Sequence, residues 1–133
     1  MTLNAAQSLL YVAEDQSDTV EVIDTARKHD RGNDPSDRSP SSIPASFAQY
    51  RGANSNSVTL SPDETQLYVT NGNLNSVAVV ALAGNNSGDQ VVGLIPTGWY
   101  PNSVSARKGS GICVTESLAA GQHRAARQPP VRP

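Results

Sequence analysis

The feature that most constrains this chain is that it repeats itself. Leu10–Ala26, LYVAEDQSDTVEVIDTA, aligns without a gap on Leu67–Ala83, LYVTNGNLNSVAVVALA. Leu10, Tyr11 and Val12 match Leu67, Tyr68 and Val69, and Val20, Val22 and Ile23 match Val77, Val79 and Val80, at a constant offset of 57. A second pair, NSVTL (Asn56–Leu60) and NSVSA (Asn102–Ala106), recurs at an offset of 46. Recurrence of apolar residues and turns together marks copies of one supersecondary unit, and that restricts the fold more than any local propensity does.

The best-formed unit begins at NSVTL, a short strand closed by the turn SPDET. There Pro62 presets φ and Asp63 offers a carboxylate to nearby backbone N–H groups. QLYVT alternates Leu67 and Val69 with Tyr68 and Thr70, which predicts a strand with one face more buried than the other. NGNLN carries the Asn-Gly hairpin signal. SVAVVAL is a nearly unbroken apolar run, expected to be covered on both faces. After the loop AGNNSG, DQVVGLIP supplies a fourth strand. Four antiparallel strands in about 40–45 residues, then the pattern again, is the rhythm of a β-propeller blade. A sandwich of short strands competes with this reading, but it does not require the same residues to recur at matching turns.

Composition agrees with a turn-rich all-β chain. The 133 residues allow one domain with a modest core, and the hydrophobic share of 37% is low, with Ser, Asn, Gly and Pro abundant. The net charge of −2 conceals an asymmetry: residues 1–106 hold 11 acidic and 5 basic side chains, whereas residues 107–133 hold 1 and 5. The basic residues are not interleaved with aromatics, which argues against a nucleic-acid surface. One cysteine, Cys113, allows no internal disulfide. No segment approaches the roughly 20 apolar residues of a membrane-spanning helix. MTLNAAQSLLYVAED has neither a basic start nor an apolar h-region, so no export signal is expected in it.

LYVTNGNLNSVAVV, with SPDETQLYVTN and GLIPTGWYPNSVS, resembles the YVTN-type β-propeller repeat of bacterial and archaeal surface and periplasmic proteins. With Tyr50-Arg51-Gly52-Ala53-Asn54, the match is to a subfamily that joins such a propeller to a phosphoesterase domain of the alkaline-phosphatase superfamily. It covers about 75 residues, Leu9–Ala26 and Tyr50–Ala106. The resemblance implies an all-β, partial β-propeller, an incomplete ring of four-stranded blades. The expected divisions are a partial blade at 1–26, an irregular insertion at 27–49, a complete blade at 50–97, the start of a third at 98–115 and a basic tail at 116–133. Ile112-Cys113-Val114-Thr115 stands where a third LYVT strand is expected. Arg27–Pro44, RKHDRGNDPSDRSPSSIP, is polar and proline-broken, and reads as a long loop. The phosphoesterase region itself has no counterpart in these residues. A truncated or frame-shifted reading of a longer gene would account for the change in composition after Ala106.

Catalytic candidates are few. Metal-dependent phosphoester chemistry needs an Asp and His cluster with a hydroxyl nucleophile, and the only histidines are His29 and His123, in the polar insertion and the basic tail. A Cys113–His123 pair is formally available, but nothing in the sequence orients it. Asp15, Asp18 and Asp24, and the group Asp30, Asn33, Asp34 and Asp37, lack the Gly and Glu spacing of an EF-hand and read as turn caps. Gly84, Gly88 and Gly93 do not form a phosphate-cradling loop. No catalytic, metal or cofactor set is therefore expected. Trp99 and Tyr100, in GWYPNS, and Arg51 lie in connections between blades, where partners or ligands bind in propellers. Against that, Trp99 packing between blades and Arg51 in an ion pair are the structural readings. Two function classes follow: a non-catalytic binding scaffold, or a propeller hydrolase of the lactonase kind whose catalytic part lies elsewhere. A gene remnant without independent function is a third reading. Expected partners are missing blades, the phosphoesterase domain, or further copies of the chain pairing through open edges.

Overall fold

A computed structural model describes residues 1–25, 41–83, 88–109 and 111–117. The repeated segments each form a sheet. Strands β1 (Thr2–Leu3), β2 (Leu9–Glu14), β3 (Thr19–Asp24) and β4 (Ser41–Pro44) pair in that order, all antiparallel. So do β5 (Ser55–Leu60), β6 (Gln66–Asn71), β7 (Ser76–Ala81) and β8 (Gln90–Pro96). A third pair joins β9 (Pro101–Arg107) to β10 (Gly111–Glu116). The described residues are all-β apart from one 3-10 turn, Gly72–Leu74, and they close no ring.

The repeat extends to register. Leu10, Tyr11 and Val12 face Ile23, Val22 and Glu21, and Leu67, Tyr68 and Val69 face Val80, Val79 and Ala78. Ile112–Thr115 lies within β10, with Val114 opposite Val104 as Val69 is opposite Val58. One expectation is corrected here. Residues 27–49 are not irregular throughout, because Ser41–Pro44 forms the fourth strand of the first sheet. Ile43 lies opposite Val20 and Pro44 opposite Thr19, as Ile95 and Pro96 lie opposite Val77 and Ser76. An edge strand needs hydrogen bonds on one side only, so a four-residue Ser-Ser-Ile-Pro segment suffices. The rest of the polar insertion, residues 26–40, lies outside the described residues.

The core sits between the first two sheets, and alternation along the strands decides which residues enter it. Tyr11, Val20, Val22 and Ile43 from the first sheet meet Val58, Leu67, Val69, Ala78 and Val80 from the second, all buried. The contact is therefore directional: the Tyr-bearing face of one sheet lies on the Leu/Val-bearing face of the next. Each fully buried Val or Leu contributes about 1.5–3 kcal/mol. β7 is buried along most of its length, as an apolar run covered on both faces should be.

The turns hold the strands at their ends. In SPDET, the Asp63 carboxylate accepts from the Ser61 hydroxyl at 2.6 Å, the Thr65 hydroxyl at 2.9 Å and the Thr65 N–H at 3.2 Å. These bonds hold its pKa below the ordinary carboxylate range, the Ser61 hydroxyl contributing most. The β6–β7 hairpin does not use Asn-Gly for a left-handed turn. Asn75 takes the left-handed conformation (φ 47°), and Gly72 serves another purpose, given below.

Candidate functional site

Four connections gather at one end of the sheets: the β2–β3 turn (15–18), the β6–β7 turn (72–75), and the linkers 45–54 and 97–100 that lead from one sheet into the next. They are joined by the same contact, used twice. The Asp18 carboxylate accepts from the N–H of Asn54 at 3.1 Å and of Gly52 at 2.6 Å. The Asn75 side-chain carbonyl accepts from the Tyr100 N–H at 2.8 Å. Asp18 and Asn75 are 57 residues apart, Asn54 and Tyr100 are 46 apart, and all four have positive φ (56°, 47°, 54° and 38°). The backbone of each turn residue is tied as well: Ala45 N–H donates to the Asp18 carbonyl, and Thr97 N–H to that of Asn75. Left-handed backbone costs a non-glycine residue about 1–2 kcal/mol, and these bonds offset it.

A second repeated position lies at the end of the second strand of each sheet. In the second sheet this is Asn71, fully buried. Its amide donates to the Ala45 carbonyl at 2.8 Å and its carbonyl accepts from the Ser55 hydroxyl at 2.8 Å. In the third it is Glu116, whose carboxylate accepts from the N–H of Gly98 at 2.6 Å and of Trp99 at 3.3 Å. In both, the side chain holds the linker arriving from the preceding sheet. In the first sheet it is Glu14, which accepts from hydroxyls of its own turn, Ser17 at 2.7 Å and Thr19 at 3.0 Å. Those hydroxyls, Ser17 foremost, keep the Glu14 pKa below the ordinary range.

Of the residues singled out in the sequence, Trp99, Tyr100 and Arg51 lie at this end of the molecule and play different parts. Trp99 is 55% exposed, held through its backbone rather than packed between sheets. Tyr100 is half-buried with its ring across Gly72, where a Cβ would come within 2.6 Å of the ring. That approach is why position 72 carries no side chain. Arg51 is exposed, and among the described residues no ion pair holds it. It borders an open groove of about 500 Å³ with Asp18, Phe47 and Tyr50. The Gly72–Leu74 turn separates Tyr100 from the Arg51 linker, which Asn73 grips through Ala53 and Gly52. Tyr11 and Tyr68 are structural: Tyr11 is buried, and the Tyr68 hydroxyl donates to Gln66.

His29, His123, Asp30, Asn33, Asp34, Asp37 and Gly84 lie outside the described residues. Cys113 is exposed on β10. Among the described residues no group of three His, Cys, Asp or Glu is placed to hold a metal. The residues at this repeated position, Glu14, Asn71 and Glu116, escape a motif search, because they differ in type. The 57-residue offset pairs Glu14 with Asn71 and Asp18 with Asn75, and that alignment was the available signal.

No family model matches the chain, and no curated protein matches it. Solved structures share its fold, among them the following two. Hydrazine synthase of Kuenenia stuttgartiensis aligns with 86% of this chain at a TM-score of 0.63 and 18% identity. A functionally unknown protein from Desulfotomaculum acetoxidans aligns with 82% at a TM-score of 0.57 and 15% identity. The chain spans 28% and 31% of their lengths.

Proposed function

We propose that the chain is part of a YVTN-type β-propeller and acts as a non-catalytic binding scaffold, in company with a phosphoesterase of the alkaline-phosphatase superfamily. The observation that carries the propeller reading is the repeated clasp, Asp18 to Asn54 and Asn75 to Tyr100. A sandwich closes two unlike faces on each other, whereas here each sheet receives the next through the same bonds in the same direction. The scaffold reading rests on the same end of the molecule. Its polar groups are spent on holding turns and linkers, while Trp99 and Arg51 face solvent in neighbouring connections. An exposed indole and guanidinium suit a protein contact, being the side chains most enriched at binding hot spots.

Trp99 is the sole tryptophan, so its emission reports this contact directly. A metal-dependent phosphoesterase encoded beside this reading frame is titrated into the full chain. A saturable blue shift, weakened by Arg51→Ala, is the expected result. No shift sinks the phosphoesterase pairing. Zinc-dependent hydrolysis of p-nitrophenyl phosphate by the chain alone sinks the non-catalytic reading.

A further inference from the structure

Asn71-Gly72 is the only Asn-Gly step in the chain, and tertiary contacts fix both of its residues. The Ala45 carbonyl can only accept, so position 71 needs an N–H donor, which the Asn71 side-chain amide supplies at 2.8 Å. The Asn71 side-chain carbonyl takes the Ser55 hydroxyl at 2.8 Å. The Tyr100 ring leaves no room for a Cβ at position 72. Glu116, at the same place in the third sheet, meets backbone N–H groups and serves as a carboxylate. A carboxylate at position 71 would instead set an oxygen against the Ala45 carbonyl in a fully buried site.

Asn-Gly is also the pair that loses its side-chain amide most readily. The glycine nitrogen, unhindered by any side chain, attacks the asparagine Cγ. A C–N bond forms, the amide nitrogen leaves as ammonia, and a succinimide ring results. Water then opens the ring at either carbonyl, giving aspartate or isoaspartate. The net change is amide and water to carboxylic acid and ammonia, with no oxidant or reductant. The closed junction opposes each stage. The Gly72 N–H is committed to the Asn54 carbonyl at 3.0 Å. Asn71 is extended, with φ −112° and ψ 92°, which turns the Gly72 nitrogen away from the side chain it would attack. Both residues are buried, which keeps out the water of the second step.

We propose that Asn71-Gly72 is a self-modification site, an amide that the closed junction between the first two sheets protects and that its opening converts irreversibly. One linker, 45–54, carries both the carbonyl that holds the Asn71 amide and the carbonyl that holds the Gly72 nitrogen. Its departure frees nucleophile and target together. After conversion, aspartate has no N–H for the Ala45 carbonyl, and isoaspartate lengthens the backbone between β6 and the turn beneath Tyr100. Neither product re-forms the junction, so the change records that the sheets have parted. The inference stands on these contacts and is independent of the scaffold reading.

Peptide mass spectrometry of the full chain, held at mildly alkaline pH in buffer and in urea, tests this. The mass gain of amide-to-acid conversion is followed at Asn71. Conversion in urea should be at least about tenfold faster than in buffer, because the fraction of open molecules sets the rate. Ser55→Ala removes one bond to Asn71 and should speed conversion in buffer about fivefold, leaving the rate in urea unchanged. Asn71→Asp makes one product directly, and should lower the ratio of folded to unfolded chain at least about tenfold. Equal rates in buffer and urea, a Ser55→Ala chain that converts no faster, or an Asn71→Asp chain as stable as the parent overturns the proposal. If Asn71→Asp does not fold, the two rates of the parent chain still decide.

Discussion

Asn71→Ala is the sharpest probe of how consecutive sheets are joined. The side chain is fully buried and makes two hydrogen bonds across sequence separations of 26 and 16 residues, to the Ala45 carbonyl and from the Ser55 hydroxyl. Removing it leaves both partners buried without a substitute, at about 1–3 kcal/mol for each unsatisfied group. A relaxed Ser55 hydroxyl recovers part of its share, so the expected loss is about 2–4 kcal/mol. That is a large fraction of the stability of a small domain. Ser55→Ala removes one bond only and should cost about 1 kcal/mol. The two losses should not add, since they share that bond, and the coupling in a double-mutant cycle should be about 0.5–1.5 kcal/mol. Urea unfolding of the full chain supplies the midpoints, with an unchanged slope required for the comparison. An Asn71→Ala midpoint within about 0.5 kcal/mol of the parent, or strictly additive losses, would refute the claim that this residue ties the sheets together.

Gly72→Ala should destabilise the chain by about 1–3 kcal/mol as the Tyr100 ring is displaced, and adding Tyr100→Ala should recover most of the packing loss; an equal cost in both backgrounds would remove the steric explanation. At low pH, Glu14 and Asp63, whose carboxyls are depressed by hydroxyl and N–H donors, contribute stability that is present above the ordinary carboxylate range and lost as pH falls through their folded values. The acid limb of the stability profile should therefore flatten in Asp63→Asn, and an unchanged limb would count against that turn network. At high pH, burial foremost, with Asp89 and Glu64 adding, raises the Tyr11 phenol. Its contribution is present below the ordinary tyrosine range and lost as pH rises through its folded value, so Tyr11→Phe should unfold later on the alkaline side.

Arrangements that depend on neighbours along the chain were legible without coordinates. The offset of 57 marked out β2, β3, β6 and β7, because the same apolar residues recur in the same order on either side of a turn. β8 and β10 followed from the same pattern. β4 did not, since its pairing with β3 comes from chain separated by the insertion, and two serines beside a proline carry no strand signal alone. The recurring Ile-Pro, 43–44 and 95–96, was the available clue. Side-chain roles divided along the same line. Asp63 caps a turn of its own neighbours, as its sequence says. Asn71, Asn75, Glu116 and Asp18 act on chain 16 to 36 residues away, and Gly72 is a glycine because of a tyrosine 28 positions later. A sequence states which groups seek partners, and alternation states which face is buried. Which distant backbone N–H meets a given carbonyl depends on how one sheet lies on the next, and only the folded structure settles that.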